Sequence, residues 1–229
     1  MEPPEAETLS RVAAKYNITE YELSIRRMPV EIPNVGRDDL ARLFHELGYT
    51  TGVEIGVESG EYSEMLCKSI PGVHLFSIDP WKAYRGYRDH VDQQKIDGFY
   101  KRTQERLAPY NATLIKDFSM NAVKQFADRS LDFVYIDGNH NILNVVQDLY
   151  YWTPKVRFGG IISGHDYVIH RPPTGMHVVE GVNAWVSAYR IKPWFILGCK
   201  AKELGTTRDE ARSFFWINAP IPSPRRNQQ

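Results

Sequence analysis

The chain has little of what would place it in a special class. Cysteine occurs only twice, at Cys67 and Cys199, with no Cys-x-x-Cys and no histidine spaced for a zinc knuckle. That excludes a disulfide scaffold and fits structural thiols in a reducing, cytoplasmic setting. No apolar run approaches the ~20 residues that a bilayer-spanning helix needs. The start, Met1-Glu-Pro-Pro-Glu-Ala-Glu7, has no basic stretch followed by an apolar one, so the chain reads as neither exported nor membrane-inserted. Net charge is missing as well: 28 Lys+Arg meet 28 Asp+Glu in 229 residues. A balanced chain argues against nucleic acid or an anionic membrane as a partner held by bulk electrostatics. Internal repeats are absent, and so is the Gly-x-Gly-x-x-Gly run of a dinucleotide fold.

What is present is ordinary globular material, 42% hydrophobic and 24% charged, enough for one α/β domain. Asp38 to Gly48 reads as a complete helix, with Asp38 as cap, Leu40, Leu43, Phe44 and Leu47 as an apolar stripe, and Gly48 as the stop. Apolar runs at 52–57, 73–78, 112–116, 131–136 and 160–163 then alternate with helical patterns near 61–69, 91–107, 119–127 and 141–152. Such alternation predicts parallel βαβ units with ligands at the carboxyl ends of the strands. After a Pro/His-rich loop and a helix near 178–189, the runs 194–197 and 213–217 suggest a hairpin added at a sheet edge. The expected plan is an N-terminal extension over 1–37, one domain over 38–218, and a proline-rich disordered tail over 219–229.

Chemistry concentrates at the predicted strand ends. The first reads Glu54-Ile-Gly56-Val57-Glu58-Ser-Gly60-Glu-Tyr-Ser63. Its glycines permit a tight turn and close backbone approach, and an acid beside that turn suits a ligand with a cationic amino group better than a pyrophosphate. Asp79, ending the second strand, is placed to accept both hydroxyls of a ribose, and Trp81 could stack on an adenine. After the third strand come Asp117, Phe118 and Ser119, where Asp117 or Ser119 meets an adenine edge or caps the next helix.

Taken together, Glu-x-Gly-x-x-x-Gly, the second-strand acid, Asp117-x-Ser119 and a fourth strand ending in Asp137 resemble a class I S-adenosylmethionine-dependent methyltransferase over roughly residues 50–218. The resemblance implies one Rossmann-like, doubly wound, mostly parallel seven-stranded sheet with helices on both faces. It also implies S-adenosyl-L-methionine as cofactor, held by Glu54, Gly56, Val57, Glu58, Gly60, Ser63, Asp79, Trp81, Asp117, Phe118, Ser119 and Asp137. Phe133-Val-Tyr-Ile-Asp137-Gly-Asn-His140 and the later Gly159-Gly160…His165-Asp166-Tyr167 resemble the small-molecule O-methyltransferase branch that includes macrolide sugar methyltransferases. There the resemblance implies a divalent cation on Asp137 and Asp166, with His165 standing where the branch has a third acid. Magnesium prefers oxygen ligands, so the imidazole shifts the expectation toward manganese or no metal. His140 matches the branch's general base, and His165 is the alternative.

The acceptor is then a small hydroxylated molecule, met by the loops 81–88 and 167–177, while the leader folds over the site or joins a second copy of the chain. Two rival readings are weaker. Tyr151-Trp-Thr-Pro-Lys155 spells the Tyr-x-x-x-Lys pair of nicotinamide-dependent short-chain reductases, but Pro154 would break the helix that carries it. A cofactor-binding module without catalysis would have no use for His140, Asp137 and Asp166.

Overall fold

The computed structural model describes residues 2–24, 28–84, 92–168, 175–198 and 211–220. In chain order these form α1 (Pro4–Tyr16), α2 (Glu20–Ser24), β1 (Val30–Ile32), α3 (Arg37–Glu46), β2 (Thr51–Ile55), α4 (Glu61–Ser69), β3 (His74–Asp79), α5 (Gln93–Leu107), β4 (Ala112–Lys116) and α6 (Ser119–Ala122). They continue with β5 (Leu131–Ile136), α7 (Ile142–Trp152), β6 (Val156–Gly164), α8 (Val178–Ala188), β7 (Trp194–Leu197) and β8 (Phe214–Ile217).

All eight strands join one sheet in the order β1-β7-β8-β6-β5-β2-β3-β4, with β8 antiparallel to its neighbours β6 and β7 and every other pairing parallel. The count exceeds the expected seven because Val30–Ile32, in the leader, pairs with β7. The two C-terminal runs do pair antiparallel, yet not as an edge hairpin: β8 inserts beside β6, and β1 covers the far side of β7. The link between them, 199–210 with Cys199, lies outside the described residues, as do 85–91, 169–174 and 221–229 of the predicted acceptor loops and tail.

Alternation along the strands divides the core. In β5, Phe133 and Tyr135 face α3 and α4 with Leu40, Phe44 and Leu66, while Val134 and Ile136 face α7 and α8 with Leu149, Trp152 and Val182. A period of two places successive side chains on opposite faces, which is why these strands read as unbroken apolar runs. Gly36 rather than Asp38 caps α3: the Gly36 amide donates to Asp39 Oδ2 at 3.0 Å, and Asp38 is buried. The pattern at 119–127 forms one short helix and a 3₁₀ turn at Val123–Gln125.

The chain runs outward from β2 to β3 and β4, then returns to place β5 on β2's other side. Between β2 and β5 the order therefore reverses, and the loops following the two strands part to leave a crevice.

Candidate active site

A cleft of about 390 Å³ opens at that reversal, lined by the ends of β2, β3, β4 and β5 and by the first residue of α3. Glu54, Gly56, Val57, Glu58, Asp79, Asp117, Phe118, Ser119, Asp137 and His140 all line it, so the structure gathers most of the predicted site residues.

Glu54 is buried at the floor, accepting a hydrogen bond from Ser63 Oγ, which is itself 2.8 Å from Ser77 Oγ. Burial pushes its carboxyl up to about 8 against the opposing hydrogen bond from Ser63. Ser63 thus acts behind Glu54 and does not line the cleft. Gly56 has φ +85°, and a Cβ there would collide with the carbonyl of Asp137. The turn after β2 and the loop after β5 consequently touch through bare backbone, tied by the Asp137 amide donating to Ile55 O at 2.8 Å. Gly60, at φ +78°, starts α4 and faces Thr103 rather than the cleft.

Asp79 organises the turn. Its Oδ2 accepts from the Val57 and Glu58 amides, both at 3.1 Å, and its Oδ1 accepts from the Trp81 amide at 2.7 Å. Trp81 differs from expectation: 1% exposed, it packs with Val57 and Ile96, and its indole donates to Glu58 O at 2.8 Å. Its ring therefore braces the turn from behind. The aromatic rings at this end of the cleft belong to Tyr84 and Phe118, edge to face at 5.2 Å.

Ser119 is the first residue of α6, and its hydroxyl donates to Asp148 Oδ1 at 2.6 Å. Burial pushes Asp148 up to about 7, opposed by that hydrogen bond. Asp117 accepts from the Phe118 amide at 2.7 Å and from Asn121 Nδ2 at 3.0 Å.

At the end of β5 two carboxylates and two imidazoles meet. His140 Nε2 lies 2.9 Å from Asp166 Oδ2 and 3.6 Å from Asp137 Oδ1, and His165 Nδ1 lies 3.7 and 3.6 Å from Asp137 and Asp166. Burial disfavours the charged His140 ring, but Asp137 and Asp166 outweigh it and push the imidazole up to about 10. Burial also works against an ionised Asp166, yet His140 and His165 hold it well below the usual carboxylate range. Left to its carboxylate partners, His140 carries a proton at neutrality. One ligand atom each from Asp137, His140 and Asp166 lies within 4.8 Å of the others, a group able to hold a divalent cation. Two carboxylates with one imidazole fit manganese or another transition ion better than magnesium.

The sequence reading missed Arg37, Asn144 and Asp148, which also line the cleft. Asp148 lies twelve residues beyond β5 on α7, and only the packing of α7 on the sheet brings it to Ser119.

A family model described as a methyltransferase domain matches residues 53–167, the stretch from β2 through the Asp137 and Asp166 loops. The chain belongs to that methyltransferase family. Solved methyltransferase structures share its fold. The O-methyltransferase from Bacillus cereus in complex with SAH is similar at TM-score 0.55 and 13% identity, covering 93% of this chain and 90% of that one. TomG, an O-methyltransferase from Streptomyces achromogenes in complex with SAM, is similar at TM-score 0.52 and 13% identity, covering 96% of this chain and 91% of that one.

 An rRNA methylase from Streptococcus thermophilus is similar at TM-score 0.52 and 12% identity, covering 80% of this chain and 95% of that one. At such identities the likeness shows the shared fold and leaves the acceptor open. A search of curated proteins finds no match to the sequence.

Proposed function

We propose that this methyltransferase moves the methyl group of S-adenosylmethionine to a hydroxyl oxygen of a small molecule. The observation that carries the reading is the group at the end of β5, where His140 lines the cleft between Asp137 and Asp166. S-adenosylmethionine supplies an electrophilic methyl on a sulfonium. The cleft suits it: acids line a site for a cationic ligand, and the turn after β2 lets a ligand approach bare backbone.

The chain contributes position and proton removal. Holding acceptor and donor in line is worth on the order of 7–11 kcal/mol in favourable cases. As the new carbon–oxygen bond forms and the methyl–sulfur bond breaks to leave neutral S-adenosylhomocysteine, the hydroxyl proton passes to the ring of His140 in its unprotonated form, and Asp137 and Asp166 stabilise the resulting imidazolium. A divalent cation on Asp137 and Asp166 alone, with His140 outside its shell, would orient the acceptor oxygen and lower the proton affinity of the His140 ring by its positive charge. The balanced net charge supports a small acceptor over a nucleic acid. No helix among the described residues is long and apolar enough to cross a membrane.

The test is calorimetry with S-adenosylhomocysteine and with NADH, followed by a screen of acceptors with methyl-labelled cofactor. Binding of the first ligand alone and label on hydroxylated small molecules are expected. Binding of NADH only, or label confined to amines or RNA, overturns the reading.

A further inference from the structure

Seven carboxyl-bearing residues line the cleft, and among the described lining residues Arg37 is the only lysine or arginine. It lies outside residues 53–167, the part that matches the family model. Its place is well defined. Arg37 opens α3, its carbonyl accepts a hydrogen bond from Tyr62 Oη at 2.9 Å, and its guanidinium lies over the Tyr62 ring with Cζ 5.0 Å from the centroid. Tyr62 is buried, so one rigid ring holds both ends of the residue. The guanidinium Nη1 is 3.9 Å from Asp137 Oδ2, which puts it at the β2–β5 side of the cleft.

The sheet supplies a scale. From β5 through β2 and β3 to β4 is three steps of about 4.8 Å, or roughly 14 Å. Asp117, Phe118 and Ser119 follow β4 at the far end, and Arg37 stands at the near end with Glu54 and Asp137. An extended ligand with its nucleoside over β3 and β4 would bring its amino-acid end to Arg37. That end is a zwitterion. Its ammonium has several carboxylates to meet, whereas its carboxylate would be repelled by them everywhere except beside the guanidinium, whose planar fork matches it.

We infer that Arg37 binds the α-carboxylate of the cofactor's methionyl group, with Glu54 and Asp137 facing the ammonium. The inference rests on the S-adenosylmethionine reading above. It makes Arg37 a cofactor-selecting residue contributed from outside the matched family segment.

Calorimetry tests it with two ligands, S-adenosylhomocysteine and its decarboxylated analogue, against wild type, Arg37→Gln and Arg37→Lys. For a charge-assisted pair the expected loss is about 10- to 100-fold. Wild type should bind the decarboxylated analogue that much more weakly, Arg37→Gln should bind both ligands with the same weak affinity, and Arg37→Lys should recover part of the difference. Thermal midpoints close to wild type show that the variants fold. If Arg37→Gln keeps the preference for the carboxylate, or keeps wild-type affinity while only the acceptor KM rises, the inference is overturned and the cofactor reading stands. If wild type binds neither ligand, both fall.

Discussion

His140 carries the strongest chemical commitment of any single side chain. It touches both Asp137 and Asp166, so its proton affinity and its proposed service as base are set by the same two carboxylates. Replacing it with alanine should leave S-adenosylhomocysteine affinity near wild type and lower kcat by about 10²- to 10⁴-fold. Full turnover in His140→Ala would move the base to His165. Glu54 offers a test of burial. Its ordinary pKa is 4.5 and the folded value is about 8, so in that window the folded chain holds a proton that the unfolded chain has released. Stability attributable to it is therefore present below the unfolded value and is lost as pH rises through the folded one. Asp148, raised to about 7, acts in the same direction. Urea midpoints of Glu54→Gln should fall less than those of wild type between about pH 5 and about pH 8.5. Equal slopes would show that Glu54 is not desolvated.

The turn after β2 is the element on which the cleft depends. Asp79 gathers the amides of Val57, Glu58 and Trp81, and Gly56 passes the Asp137 loop at a distance no side chain permits. Gly56→Ala combines a left-handed φ with a backbone collision, so it should abolish measurable S-adenosylhomocysteine binding and lower the thermal midpoint. A variant that binds normally would mean that the turn relaxes freely. Much of this element was legible, because the glycines and acids that build it are neighbours in the chain. Trp81 was not. An aromatic residue beside a predicted nucleotide site invites a stacking role, but only the packing of α5 shows that Val57 and Ile96 enclose its ring.

Across the whole molecule, the leader takes part in the packing. Val12 of α1 is fully buried, Thr8 Oγ1 and Tyr49 Oη both donate to Gly159 O, at 2.9 and 2.7 Å, and β1 extends the sheet beyond β7. Burial of Val12 alone is worth about 1.5–3 kcal/mol. At about 2–4 °C per kcal/mol for a chain of this size, deletion of residues 1–16 should lower the thermal midpoint by roughly 3–12 °C. An unchanged midpoint would show that α1 rests on the domain without stabilising it. By itself the sequence determined what depends on neighbours along the chain: the order of strands and helices, the glycine turn, and the acids at the strand ends. Tertiary structure alone decided the insertion of β8 between β6 and β7, the meeting of His140 with Asp166, and the arrival of Arg37 and Asp148 in the cleft. These are contacts between residues far apart in sequence, and periodicity carries no information about which distant surfaces will bury one another.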